Sequence, residues 1–122
     1  MEVAYFFDTY AVIELIEGNK NYVGYVEEPA TITLFNLAEI YWAVLNKLGD
    51  TEADEVYQEY KAAVVEIDDA TLKEAIKFRR EHKKQDLSYA DCIGYIYAKR
   101  HSLKFLTGDK EFEHLENVEF VK

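Results

Sequence analysis

The chain alternates short apolar runs with stretches in which apolar residues return every three or four positions. Val3-Ala4-Tyr5-Phe6-Phe7 is wholly apolar and rich in β-formers, the pattern of a strand covered on both faces, and it stops at Asp8. Thr9 to Glu17 has helical spacing and is closed by Gly18-Asn19. Tyr22, Val23, Tyr25 and Val26 predict a second short helix ended by Pro29, and Ala30-Thr31-Ile32-Thr33 has strand character. Asn36 is expected to start a helix with Leu37, Ile40, Tyr41, Val44, Leu45 and Leu48 on its apolar side, stopped by Gly49. Thr51 opens the next, with Ala53, Val56, Tyr57 and Tyr60 inward, and Val64-Val65-Glu66-Ile67 predicts a brief strand. Asp69 to Lys83 has Leu72, Ala75, Ile76 and Arg79 at helical spacing, and Ser88 starts a helix running through Ile93, Ile96, Tyr97 and Ala98 to Arg100. Lys104-Phe105-Leu106-Thr107 is a strand just before Asp109, Lys110 to Leu115 a helical turn, and Val118-Glu119-Phe120-Val121 the last strand.

Strands alternating with helices imply an α/β fold with a parallel sheet, right-handed crossovers, helices on both faces and ligands at the carboxyl ends of the strands. No repeat, low-complexity tract or linker interrupts the 122 residues, so residues 1–122 are expected to form one domain. A single proline and five glycines leave little room for a many-turned all-β fold. The lone cysteine, Cys92, excludes an internal disulfide framework and a cysteine-based zinc site, and it fits a reducing compartment. No apolar run approaches the ~20 residues that span a bilayer. Met1-Glu2-Val3-Ala4 lacks the basic start of a signal peptide, so no membrane association and a cytoplasmic location are expected.

The net charge of −10 is unevenly spread. Residues 73–104 hold nine Lys/Arg against four acids, and the rest of the chain holds five against twenty. The overall sign disfavours promiscuous binding of polyanions, although a local basic wall beside an acidic site is compatible with it. For most of those cations a solvated helix face is the simplest expectation.

Four acids, Asp8, Glu39, Asp91 and Asp109, stand near predicted helix starts. Each has an ordinary explanation. Asp8 is placed to cap the helix from Thr9, and Asp109 to cap Lys110 to Leu115. Asn36-Leu37-Ala38-Glu39 and Ser88-Tyr89-Ala90-Asp91 both have capping-box spacing. As a set they suggest more. Asp8 and Asp109 emerge where buried strands end, and Glu39 and Asp91 lie in the first turns of helices entering from that same edge. Four carboxylates in one crevice repel one another unless a cation neutralises them, and oxygen ligands without His or Cys suit Mg²⁺ or Mn²⁺. Such a site suits hydrolysis of a phosphodiester by metal-activated water.

The strand followed by Asp8-Thr9, then Ala38-Glu39, then Ser88-Tyr89-Ala90-Asp91, then Phe105-Leu106-Thr107-Gly108-Asp109-Lys110-Glu111-Phe112 resembles the PIN-domain nucleases, especially the small VapC-type toxin ribonucleases. The acids follow the family order at separations of 31, 52 and 18 residues. This resemblance implies a three-layer α/β/α fold with a central, mostly parallel sheet. It further implies Mg²⁺ or Mn²⁺ dependence, cleavage of single-stranded RNA, a homodimer and inhibition by a partner antitoxin. Carried over, Asp8, Glu39, Asp91 and Asp109 would be catalytic and metal-holding acids, Thr9 and Thr107 supporting hydroxyls, and Ser88 a helix cap that also assists. Tyr10 stands where the family often has a small polar residue, which would narrow the site. Cys92 replaces a usual alanine and is expected to be a buried, inert thiol.

His82, His101 and His114 lack a second histidine at ligand spacing and are expected on the solvated surface. Tyr22, Tyr25, Tyr41, Trp42, Tyr57 and Tyr60 are shared between core packing and an aromatic surface for a dimer mate or an antitoxin helix. A dehalogenase-type phosphatase would need a second acid where Tyr10 stands, and no Gly-rich phosphate loop supports a nucleotide-binding module. The rival function is a non-catalytic PIN-fold binding or assembly module.

Overall fold

A computed structural model describes residues 2–122; Met1, at the head of the N-terminal stretch considered above, lies outside the described residues. The described residues form five short strands, β1 (Tyr5–Phe7), β2 (Ile32–Thr33), β3 (Val64–Val65), β4 (Lys104–Thr107) and β5 (Val118–Phe120), joined by five helices, of which one precedes β2 and two precede each of β3 and β4. The helices are α1 (Thr9–Ile16), α2 (Leu34–Leu48), α3 (Asp50–Lys61), α4 (Asp69–Glu81) and α5 (Tyr89–Arg100). Tighter 3₁₀ turns occupy Lys20–Tyr25 and Lys110–Phe112.

All ladders are parallel, in the orders β1-β4-β5 and β2-β3. The Phe7 N–H donates to Thr31 O at 2.9 Å, which joins the two groups side by side. Because successive strand residues face opposite ways, Phe6 and Phe105 enter one core with Ala75, Ile93 and Ile96 of α4 and α5. Phe7 and Leu106 enter the other, with Val12, Leu37, Ile40 and Ala53 of α1, α2 and α3. The fold is therefore three-layered α/β/α, and Phe6, Phe7, Phe105 and Leu106 are buried on alternate faces of β1 and β4 because both faces are covered. A Cβ added to Gly94 of α5 would lie 2.5 Å from Phe6 Cε1, so only glycine lets that helix seat against β1.

Two helices differ from their expected faces or bounds. α2 begins at Leu34, and Thr33 is its cap: the Asn36 N–H donates to Thr33 Oγ1 while Thr33 N–H donates to Asn36 Oδ1 at 2.9 Å. The capping box expected for Asn36 and Glu39 is thus shifted back by one turn, and Glu39 falls in the second turn. On α4 the inward residues are Thr71, Ala75 and the half-buried Phe78, and Leu72 and Ile76 are exposed. Among the described residues, no helix is long and apolar enough to cross a membrane.

Candidate active site

Asp8 directly follows β1 and is 1% exposed. Its backbone precedes α1 in extended conformation, yet its side chain makes no capping bond, which corrects the expectation of a helix cap. Instead Thr107, the last residue of β4, donates its hydroxyl to Asp8 Oδ2 at 2.7 Å across the parallel ladder. Asp8 Oδ1 is buried and has no hydrogen-bond partner. Leaving a carboxylate oxygen so is costly unless something absent from the polypeptide meets it. Burial, followed by the charges of Asp91 and Glu39, holds the Asp8 carboxyl well above the usual aspartate range.

Glu39 receives its own donor from far along the chain. Thr9, the first residue of α1, donates its hydroxyl to Glu39 Oε1 at 2.7 Å. That hydroxyl in turn accepts from the Asn36 side-chain amide at 3.1 Å. Asn36 is completely buried, with its carbonyl oxygen already engaged by Thr33. This relay was missed as a site feature in the sequence, where Asn36 stood only as a helix start. The Thr33-x-x-Asn36 spacing was the signal that could have revealed it.

Asp91 and Asp109 behave as the capping patterns require. The Ser88 N–H donates to Asp91 Oδ2 at 2.8 Å, and Ser88 Oγ accepts from the Asp91 N–H at 3.0 Å, a reciprocal box at the start of α5. Asp109 Oδ1 accepts from the Glu111 N–H, and its own N–H donates to Thr107 Oγ1, both at 3.0 Å. Thr107 Oγ1 thus touches Asp8 and Asp109 at once. Asp91 is pushed up to about 6, first by burial and then by Glu39 and Asp109 against the opposing Ser88 bonds.

The four acids therefore feel one another's charge at the carboxyl edge of the sheet. Among the described residues, no three His, Cys, Asp or Glu side chains form a finished ligand group for one ion. The residues nonetheless fit a hard divalent cation. The donors are all oxygen, neighbouring carboxylate charges help to raise the pKa of Asp8 and of Asp91, and Asp8 Oδ1 is an orphan acceptor. Asp8, Glu39, Asp91 and Asp109 would be the groups to hold one.

Around the acids, the Tyr10 ring packs against Gly108, where a Cβ would collide with both that ring and Val121 O. Cys92 is fully buried and its thiol is pushed up to about 12, mainly by burial, so it is no nucleophile at neutral pH. His82 departs from the solvated expectation: it is half-buried, stacks 4.0 Å from Phe78, and its Nδ1 lies 2.9 Å from Phe78 O. Of the six aromatics considered for a partner surface, Trp42 alone is exposed; Tyr22 is buried and the others are half-buried.

The sequence matches the PIN domain over residues 5–118. The chain belongs to the PIN domain family. This PIN domain is similar in fold to a toxin-antitoxin complex from Klebsiella pneumoniae, with a TM-score of 0.73, 20% identity and coverage of 95% of this chain and 96% of that one. It is also similar to the Mycobacterium tuberculosis toxin VapC20, described as cleaving the sarcin-ricin loop, at a TM-score of 0.80 and 14% identity over 98% of this chain and 100% of that one. A third likeness is to VapBC2 from Rickettsia felis, bound to a promoter DNA fragment, at 0.69 and 16% over 98% and 100%. A comparison with curated proteins finds no match.

Proposed function

We propose that this PIN domain is a metal-dependent endoribonuclease that hydrolyses phosphodiester bonds in single-stranded RNA, as the toxin of a toxin-antitoxin pair. The observation that carries the reading is Asp8, a buried carboxylate with one oxygen unpartnered and two neighbouring acids raising its pKa. The family and the likeness to VapC toxins support it.

Asp8, Asp91 and Asp109 would hold Mg²⁺ or Mn²⁺, and Glu39 would complete the set or orient the attacking water. A bound cation supplies Lewis acidity at the scissile phosphate and a lower pKa for water beside it. Thr107 fixes Asp8, and the Asn36–Thr9 relay fixes Glu39 through its Oε1. The water oxygen bonds to phosphorus as the bond to the 3′-oxygen breaks, leaving a 5′-phosphate and a 3′-hydroxyl. Lys99 and Arg100 are tied to Glu116 and Glu74 by ion pairs of 2.8 and 2.9 Å. The exposed Arg80, Lys83 and Lys84 follow Arg79, which bonds Leu87 O just ahead of Ser88 and Asp91, and they are left to meet the RNA backbone, so activity should fall with salt.

Two apolar surfaces suit protein partners. Leu72 and Ile76 lie exposed one turn apart on α4, the face we assign to a second copy in a homodimer. Between α1 and α2 runs a cleft of 370 Å³ lined by Ile13, Ile16, Val44 and Leu48, which we assign to an antitoxin segment.

Asp91→Asn tests the nuclease reading, because asparagine keeps the shape and an oxygen acceptor for the Ser88 N–H. The fold should survive while cleavage of single-stranded RNA falls by orders of magnitude. A variant that cuts at near the parent rate would sink the assignment, and a binding module would show no Mg²⁺ or Mn²⁺ affinity dependent on these acids.

A further inference from the structure

Trp42 is the one tryptophan of the chain, and 69% of it is exposed. It stands on α2 three residues beyond Glu39, so both side chains project from the same side of the helix, about one turn apart. With Thr9, Ala38, Glu39 and Ala43 it lines an open cavity of 460 Å³, within the roughly 300–1,000 Å³ that small ligands occupy. At that exposure most of the indole is open to solvent. One wall of the cavity is thus a carboxylate and the hydroxyl that orients it, and the other is a bare aromatic surface.

We propose that Trp42 is the stacking platform for a nucleobase of single-stranded RNA beside the scissile phosphate. This deepens the nuclease reading and rests on it. Two arguments favour a base over an apolar side chain of a protein partner. An apolar group seated here would strip water from Glu39 and give nothing in return, whereas a nucleotide brings hydroxyl and amino donors to a carboxylate. In addition, a net charge of −10 and four acids at the site offset the attraction that the free lysines and arginines offer a polyanion, so ion pairing alone gives limited affinity. Stacking on an aromatic face supplies affinity that does not depend on salt and tolerates any base. Single strands offer such faces, whereas duplex RNA keeps its bases in the stack.

Because Trp42 has no other tryptophan to mask it, its emission reports the contact directly. With a chelator present to keep the RNA intact, single-stranded octamers of uridylate or adenylate should quench the emission saturably, and a duplex of equal length should not. Trp42→Ala should weaken binding of a labelled octamer roughly 5- to 100-fold without altering the slope of affinity against salt. Trp42→Phe should recover most of the loss, which a merely structural role would not predict at so exposed a site. Wild-type protein that binds and cleaves RNA with unchanged emission and an indifferent Trp42→Ala would overturn the platform and leave the nuclease reading standing. An emission shift driven by protein concentration alone would put a second copy over Trp42 and overturn it equally. Protein that neither binds nor cleaves any single strand would sink the nuclease reading, and the platform with it.

Discussion

The four acids divide into two pairs that are held in opposite ways. Asp91 and Asp109 are satisfied within three residues of themselves, by Ser88 and Glu111 backbone groups at the start of the turns they cap. Asp8 and Glu39 take their donors from Thr107 and Thr9, 99 and 30 residues away. The first pair helps to build local structure wherever it stands. The second pair is held only by the assembled sheet, and Asp8 is left with an unpartnered buried oxygen. Natural sites often retain such a local cost where function requires it. The contrast implies that Asp8 and Glu39 serve function at a cost in stability, whereas the caps that Ser88 and Asp109 close also support the fold.

The largest effect expected is on Asp8→Asn. Cleavage should fall by roughly 100-fold or more, as for loss of a group acting on the transition state. The same variant should melt higher than the parent in chelator, because a neutral amide relieves the burial of charge. A variant that loses activity and stability together would erase the distinction between the pairs. Thr107→Val comes next. It leaves both Asp8 oxygens without donors, and metal affinity measured by calorimetry should drop about 10- to 100-fold, the usual cost of removing a group that orients a ligand.

The pH dependence sharpens the comparison within the local pair. Asp91 sits near 6 against an ordinary 3.8, so the folded chain holds that proton more tightly than the unfolded chain does. Its unfavourable contribution is therefore full above about 6 and disappears as pH falls toward 4. In chelator, Asp91→Asn should exceed the parent in stability by roughly 1–3 kcal/mol at pH 7.5 and by nothing at pH 4, read by urea denaturation. The parent's affinity for Mg²⁺ or Mn²⁺ should in turn weaken as pH drops through about 6, where a proton competes with the cation for Asp91. Ser88→Ala should show the smallest effect, a loss of about 1 kcal/mol from the cap of α5 with most of the activity kept.

Much of this division was legible in the chain. The order of strands and helices follows from runs of β-formers and from three-to-four spacing, which depend only on near neighbours. Ser88-x-x-Asp91 announced its own box, and Asp109 its own turn, for the same reason. Where two local solutions competed, the pattern was silent. Both Thr33 and Asn36 are good caps, and the choice fell to Thr33 because Asn36 is completely buried and its amide is drawn to Thr9 of another helix. On α4, Leu72 and Ile76 offered as plausible a face as Thr71, Ala75 and Phe78; packing against α5 selected the second.

What the sequence determined by itself is therefore the element order, the α/β class and the two acids that close their own backbone turns, since each rests on bonds spanning a few residues. Only the tertiary structure decided that Asp8 leaves its helix uncapped for Thr107, that Glu39 answers to Thr9, and that Trp42 stays bare beside them. Those outcomes depend on strands and helices tens of residues apart meeting at one sheet edge, where burial raises the cost of charge and each polar atom must find a partner across space.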